Sequence, residues 1–177
     1  MAKRIKTLDI TRISLFVVIM AVCSWISIPT VIPFTLQTLG LFLCIGMLGG
    51  KKSSIAIAIY TLMGVIGIPV FANFTGGIGV ILGANGGYII GFLLAALNAW
   101  LIEILLGKKK FVPLISMIVG LLICYAIGTV WYAVIYASST DNIGIITAIT
   151  TCVLPYILPD ALKIVLSLFI RKRVRIK

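Results

Sequence analysis

The chain has 177 residues, 62% of them hydrophobic and 11% charged, with a mean hydropathy of +1.25. Soluble domains average about 45–50% apolar and about 25% charged residues, so this composition excludes an ordinary soluble domain and points to an all-α integral membrane protein. The net charge of +11 needs an explanation, and the lack of histidine excludes HExxH zinc sites and Ser-His-Asp triads.

Six apolar segments follow in chain order, at approximately 10–28, 36–50, 53–70, 87–106, 111–136 and 143–170. They predict one six-helix membrane domain over 1–177. A membrane helix needs about 20 apolar residues. The second segment is short, so it is expected to tilt or to join the polar-looking stretch before it. The sixth would be about 42 Å long at about 1.5 Å per residue. It is therefore expected to extend beyond the core or to break at Pro155 and Pro159. The first segment has a basic flank but no A-x-A-like site after it, so a cleaved signal peptide is not expected.

Charge sets the orientation. Lys3, Arg4, Lys6 and Arg12 precede or open the first segment, and Lys51 and Lys52 lie between the second and third. Lys108, Lys109 and Lys110 lie between the fourth and fifth, and Arg171, Lys172, Arg173, Arg175 and Lys177 end the chain. Every basic residue but Lys163 is thus on alternate connections. The other connections (29–35, 71–86 and 137–142) carry none. This is the positive-inside pattern of a multi-pass protein with both termini cytoplasmic. It explains the net charge better than nucleic-acid binding does, because the charges are dispersed among helix ends.

The outer connections are unusual. Residues 64–91 hold nine glycines, together with Val70, Phe71, Phe74, Ile78, Val80, Ile81 and Leu82. Flexible linkers are usually polar, so this apolar stretch reads as a lid folded over a cavity rather than as a connector. Cys23, Cys44, Cys124 and Cys152 lie in apolar runs without CxxC spacing and read as packing residues. No nucleotide motif is present. Gly50-Lys51 is followed by Lys52, where a P-loop needs Ser or Thr, and Gly77, Gly79 and Gly83 lack the strand–helix context of a dinucleotide site. Glu103 reads as an interfacial carboxylate near Lys108–Lys110. Trp25, Trp100 and Trp131 read as interfacial anchors, although Trp25 and Trp131 suit a pocket wall equally well.

Asp160 and Lys163 are an opposite-charge pair inside the sixth segment. Intramembrane charges mark substrate, ion or proton sites, and i, i+3 spacing puts both on one helix face. The alternative is a structural ion pair that fixes packing. Snorkelling is disfavoured, since Lys163 lies about 12 Å from Arg171 along the helix. Pro155 and Pro159 remove backbone donors beside the pair and favour a kinked, polar cavity.

Three stretches carry a family resemblance. Ile32-Pro-Phe-Thr-Leu-Gln-Thr-Leu39, Gly67-Ile-Pro-Val-Phe-Ala72 followed by Gly76-Gly-Ile-Gly79, Leu82-Gly83 and Gly86-Gly-Tyr88, and Pro159-Asp-Ala-Leu-Lys163 resemble BioY-type biotin transport proteins, in order along essentially the whole chain. The resemblance implies the substrate-binding (S) component of an energy-coupling factor (ECF) vitamin transporter in a bacterial-type plasma membrane. Such components bind biotin from outside, carry no cofactor and no enzyme activity, and work with a transmembrane coupling subunit and two cytoplasmic ATPases. Biotin's ureido ring has two N–H donors and a carbonyl acceptor. Asp160, Asn85 and Lys163 are the candidate polar contacts, with Phe34, Phe74 and Tyr88 as walls and Gly79 allowing close approach. A site of buried polar groups rejects analogues that leave them unpaired. The chain departs from the family in two places. Val18 and Val22 stand at the spacing where relatives carry small residues on the first helix, and Asn85 stands where many carry threonine. The alternatives are an S component for thiamin or a flavin, and a packing or assembly protein without transport.

Overall fold

A computed structural model describes residues 6–28, 30, 32–137 and 145–174. Lys3, Arg4, Arg175, Lys177 and most of the connection expected at 137–142 lie outside the described residues. Helix α1 spans Thr7–Trp25. Strands β1 (Ser27–Ile28) and β2 (Phe34–Thr35) follow, then α2 (Gln37–Leu48) and α3 (Gly50–Val65). A single 3-10 turn at Ala72–Phe74 leads to α4 (Ile78–Leu82), α5 (Gly86–Leu106), α6 (Val112–Ala137), α7 (Ile145–Cys152) and α8 (Leu154–Arg173).

Four stretches, 7–25, 86–106, 112–134 and 148–173, are long and apolar enough to cross a membrane. The other two expected segments form shorter helices, of 12 residues in α2 and 16 in α3. They rise about 18 and 24 Å, less than a hydrocarbon core of about 30 Å. Helix α2 is apolar all round because it is enclosed by α1, α3, α5, α6 and α8, and its Leu41, Phe42 and Cys44 are fully buried. The polar-looking stretch before α2 is an antiparallel hairpin pairing Ser27 with Thr35 and Ile28 with Phe34.

Helices α2 and α3 meet at Gly49, whose φ of 77° is the left-handed conformation that glycine adopts without strain at a helix end. The next residue, Gly50, lies so close to α5 that a Cβ there would sit 2.3 Å from Trp100 Cα. Its N–H donates to Glu103 Oε2 at 2.6 Å. Glu103 therefore caps α3, satisfying an orphan donor with a negative charge at a helix N-terminus. Small residues also bring α5 and α6 together, with Gly91 against Cys124 and Gly120 against Ala95, as helix packing in lipid favours.

Three contacts gather the basic connections at one end. Lys52 Nζ pairs with Asp9 at 2.5 Å, Lys108 lies 3.6 Å from Glu103, and Arg171 runs beside Gly46. The sixth segment breaks at Val153, between α7 and α8, so Pro155 falls in the first turn of α8, where its missing N–H costs nothing. Pro159 lies inside α8. The core is apolar, but so is much of the surface: Val18, Leu122, Val130, Leu158 and Val165 are exposed, while Asp160, Lys163, Gln37 and several serines are buried.

Candidate functional site

A cavity of about 280 Å³ lies away from the basic end, between a large apolar cluster containing Phe71, Ile89, Phe92 and Cys124 and a smaller one containing Ile32 and Cys152. Its lining comes from the hairpin, the start of α2, residues 71–75, α4 to α5, α6, and the α7–α8 junction. Irregular backbone at this depth is tolerated because it borders a cavity and is enclosed by protein.

One end of the cavity is a polar network. Asp160 and Lys163 are 2% and 6% exposed and paired at 2.8 Å. Thr38 Oγ1 donates to Asp160 Oδ1 at 2.8 Å, and Tyr125 OH donates to Oδ2 at 2.7 Å. Lys163 donates further to Thr35 O at 2.7 Å and to Thr38 Oγ1 at 2.9 Å. Its three donors are then all in use, whereas the carboxylate keeps acceptor capacity. The Phe34 ring centroid lies 4.6 Å from Lys163 Nζ, and the same ring stacks on Tyr156 at 6.0 Å. Gln37 also lines the cavity and is anchored through Nε2 to Tyr60 OH at 2.8 Å.

Asn85, at the start of α5, lines the cavity with Tyr88. Its Oδ1 is buried and has no hydrogen-bond partner among the described residues. Leaving such an acceptor unsatisfied costs about 1–3 kcal/mol, which a ligand donor would recover. Tyr88 OH donates to Cys152 O at 3.3 Å and ties α5 to the end of α7.

The glycine-rich connection covers the cavity and is stapled down. Ser24 Oγ donates to Val70 O at 2.5 Å, Trp25 Nε1 to Pro69 O at 2.8 Å, and Ser27 Oγ to Asn73 Oδ1 at 2.8 Å. On the other side Trp131 Nε1 donates to Gly83 O at 3.0 Å. Both outer tryptophans hold the cover rather than line the cavity. Asn73 and Phe74 both have φ of 56°, a strained state for a bulky residue that surrounding contacts must enforce.

Of the residues expected from sequence, the structure brings Asp160, Lys163, Asn85 and Tyr88 to one cavity. The other three lie outside its lining. Phe34 backs Lys163, because alternation along β2 separates it from Thr35. Phe74 is 63% exposed and stacks on Trp25 at 5.1 Å. Gly79 sits on the exposed side of α4, where a Cβ would meet open space. Sequence reading missed Tyr125, Thr38, Thr35, Gln37, Phe71 and Tyr156. The available signal was the pair of polar residues opening α2 and a tyrosine in mid-helix rather than at an end.

Comparison with known proteins extends the likeness along the whole chain. A biotin transporter BioY of Thermotoga maritima is 37% identical over 170 residues, covering 94% of this chain and 95% of that protein. A probable biotin transporter BioY of Pyrococcus horikoshii is 37% identical over 171 residues, covering 96% and 98%. The fold matches the crystal structure of the S-component for biotin from an ECF-type ABC transporter, with a TM-score of 0.84 at 24% identity over 100% of this chain and 95% of that one. The model of the BioY family matches residues 1–177, so this chain, with its buried ion pair at the wall of a covered cavity, belongs to the BioY family.

Proposed function

We propose that this chain is the biotin-binding S component of a vitamin importer. In this reading it is one six-helix domain of a bacterial-type plasma membrane, with its basic end and both termini cytoplasmic. It contributes binding alone, while a transmembrane coupling subunit and two ATPases supply the energy. The observation that carries the reading is the pairing of two kinds of unsatisfied acceptor in one cavity, the remaining lone pairs of Asp160 and the partnerless Asn85 Oδ1. A ureido ring offers one N–H to each. Its carbonyl then accepts from the Asn85 amide, because Lys163 has no donor left. The thioether ring fits against Phe71, Ile89, Phe92 and Cys124.

Cavity size favours biotin over a flavin. The volume of about 280 Å³ is at the small end of ligand pockets, which run from about 300 to about 1,000 Å³. A tricyclic flavin with its ribityl chain is larger than the cavity as it stands. Calorimetry of the purified chain against biotin, thiamin and riboflavin tests this directly. Biotin alone is expected to give saturable heat, and tighter binding of either other vitamin would overturn the reading.

A further inference from the structure

A second cavity, of about 190 Å³, lies at the basic end and shares no lining residue with the first. Its walls are residues 45–50 at the α2–α3 junction, Ala99 and Glu103 of α5, and Val112, Pro113 and Ser116 of α6. Lys108, Lys109 and Arg171 complete it. Three cations therefore meet one carboxylate, and that carboxylate is already engaged. Glu103 Oε2 accepts from Gly50 N–H, and Oε1 lies 3.6 Å from Lys108. No carboxylate of the described residues is within ion-pair distance of Lys109 or Arg171. The helix ends around the cavity carry exposed apolar side chains, Ile104 and Leu105 on α5 and Phe111 and Leu114 at the start of α6. A surplus of two positive charges in a pocket between helices, bordered by an apolar surface, matches a phosphate carried on acyl chains. Basic pockets between membrane helices hold anionic headgroups on these grounds.

We propose that this cavity binds the phosphate of an anionic phospholipid headgroup, with Lys109 and Arg171 as its charge partners and the acyl chains along the exposed faces of α5 and α6. The site lies apart from the biotin cavity and is tested without biotin. Native mass spectrometry of the full chain in neutral detergent, with phosphatidylglycerol or phosphatidylcholine added, reads the retained lipid. One phosphatidylglycerol is expected to be retained about five-fold better than phosphatidylcholine, about 1 kcal/mol. The preference is expected to vanish in Lys109→Gln/Arg171→Gln and to persist in Lys172→Gln, whose side chain is outside the cavity. Lys109→Gln alone, on an exposed turn, serves if the double variant does not fold, and is expected to reduce the preference. A preference unchanged in whichever of these variants folds would overturn the proposal, as would equal retention of both lipids. Inorganic phosphate is the second arm. If it raises the unfolding temperature through the same two residues while neither lipid is preferred, the lipid source is overturned in favour of a soluble phosphate.

Discussion

Lys163 commits its ammonium to Thr35 O, Thr38 Oγ1 and Asp160 Oδ1, which makes it a structural residue of the cavity wall as much as a ligand contact. Its first role is to hold the Asp160 side chain in place. Removing one partner of a buried pair leaves an uncompensated charge and costs about 3–5 kcal/mol, whereas replacing both with apolar groups is often neutral. Asp160→Leu is therefore expected to lower the unfolding temperature more than Asp160→Leu/Lys163→Met, while both variants lose biotin binding. Thermal melts and calorimetry on the same samples check this, and a double variant less stable than the single one would contradict it. Tyr125→Phe removes one hydrogen bond to a charged acceptor, worth about 1.5–3 kcal/mol. It is expected to weaken biotin binding about ten-fold or more and to leave an ordered protein. Binding unchanged in Tyr125→Phe would show that Asp160 needs no help from α6.

At the scale of elements, the covering connection is a fitted part and two of its glycines behave oppositely. A Cβ at Gly64 would lie 2.0 Å from the Phe71 ring, whereas one at Gly79 would meet nothing within 4 Å. Phe71 is buried, lines the cavity, and packs edge-on against Tyr60 at 5.6 Å. Gly64→Ala is thus expected to push Phe71 toward the cavity, with an overpacking cost of about 1–3 kcal/mol and a loss of biotin affinity of ten-fold or more. Gly79→Ala is expected to change stability by no more than about 0.5 kcal/mol and to leave binding intact. Titration calorimetry of the two variants side by side decides the matter, and equal affinities would mean that the ring relaxes without reaching the ligand. This contrast also marks the limit of the sequence. Glycine density announced an irregular cover, and apolar side chains within it announced contact with protein. Which glycines press on a neighbour depends on Phe71 folding back against the end of α3, and one chain's pattern carries no signal for that. Phe34 and Phe74 were misplaced for the same reason, since an aromatic residue beside a cavity motif can face it, back it or stack outside it. Asp160 and Lys163 were legible because a charge inside an apolar run has few cheap explanations.

For the whole molecule, the exposed apolar helix faces and the gathering of basic connections at one end make lipid the solvent. The other helices enclose the short α2, while the short α3 packs against α1, α2 and α5 and keeps an exposed face at Ile59 and Leu62, with the binding cavity at the end away from the basic residues. The six segments were readable from hydropathy, but the shortness of α2 and α3 was only half visible, because an enclosed helix and a lipid-spanning one are equally apolar. The chain shows no evident inverted repeat of the kind that lets transporters rock around a midplane site. Among the described residues the cover is held on both sides, through Ser24, Trp25 and Ser27 and through Trp131. Moving the ligand to the basic end then requires either opening the packed α2 core or reorienting the bundle, and accumulation against a gradient needs external energy. The exposed row of Ser14, Val18 and Val22 on α1 is the face that the proposed coupling subunit would meet. Liposomes containing this chain alone are accordingly expected to bind biotin at their surface and to accumulate none with ATP on the cytoplasmic side. Adding the coupling subunit and its ATPases is expected to start uptake. Accumulation against a gradient by the isolated chain, measured with labelled biotin and rapid filtration, would require an internal route between the two cavities that the packed α2 core does not provide.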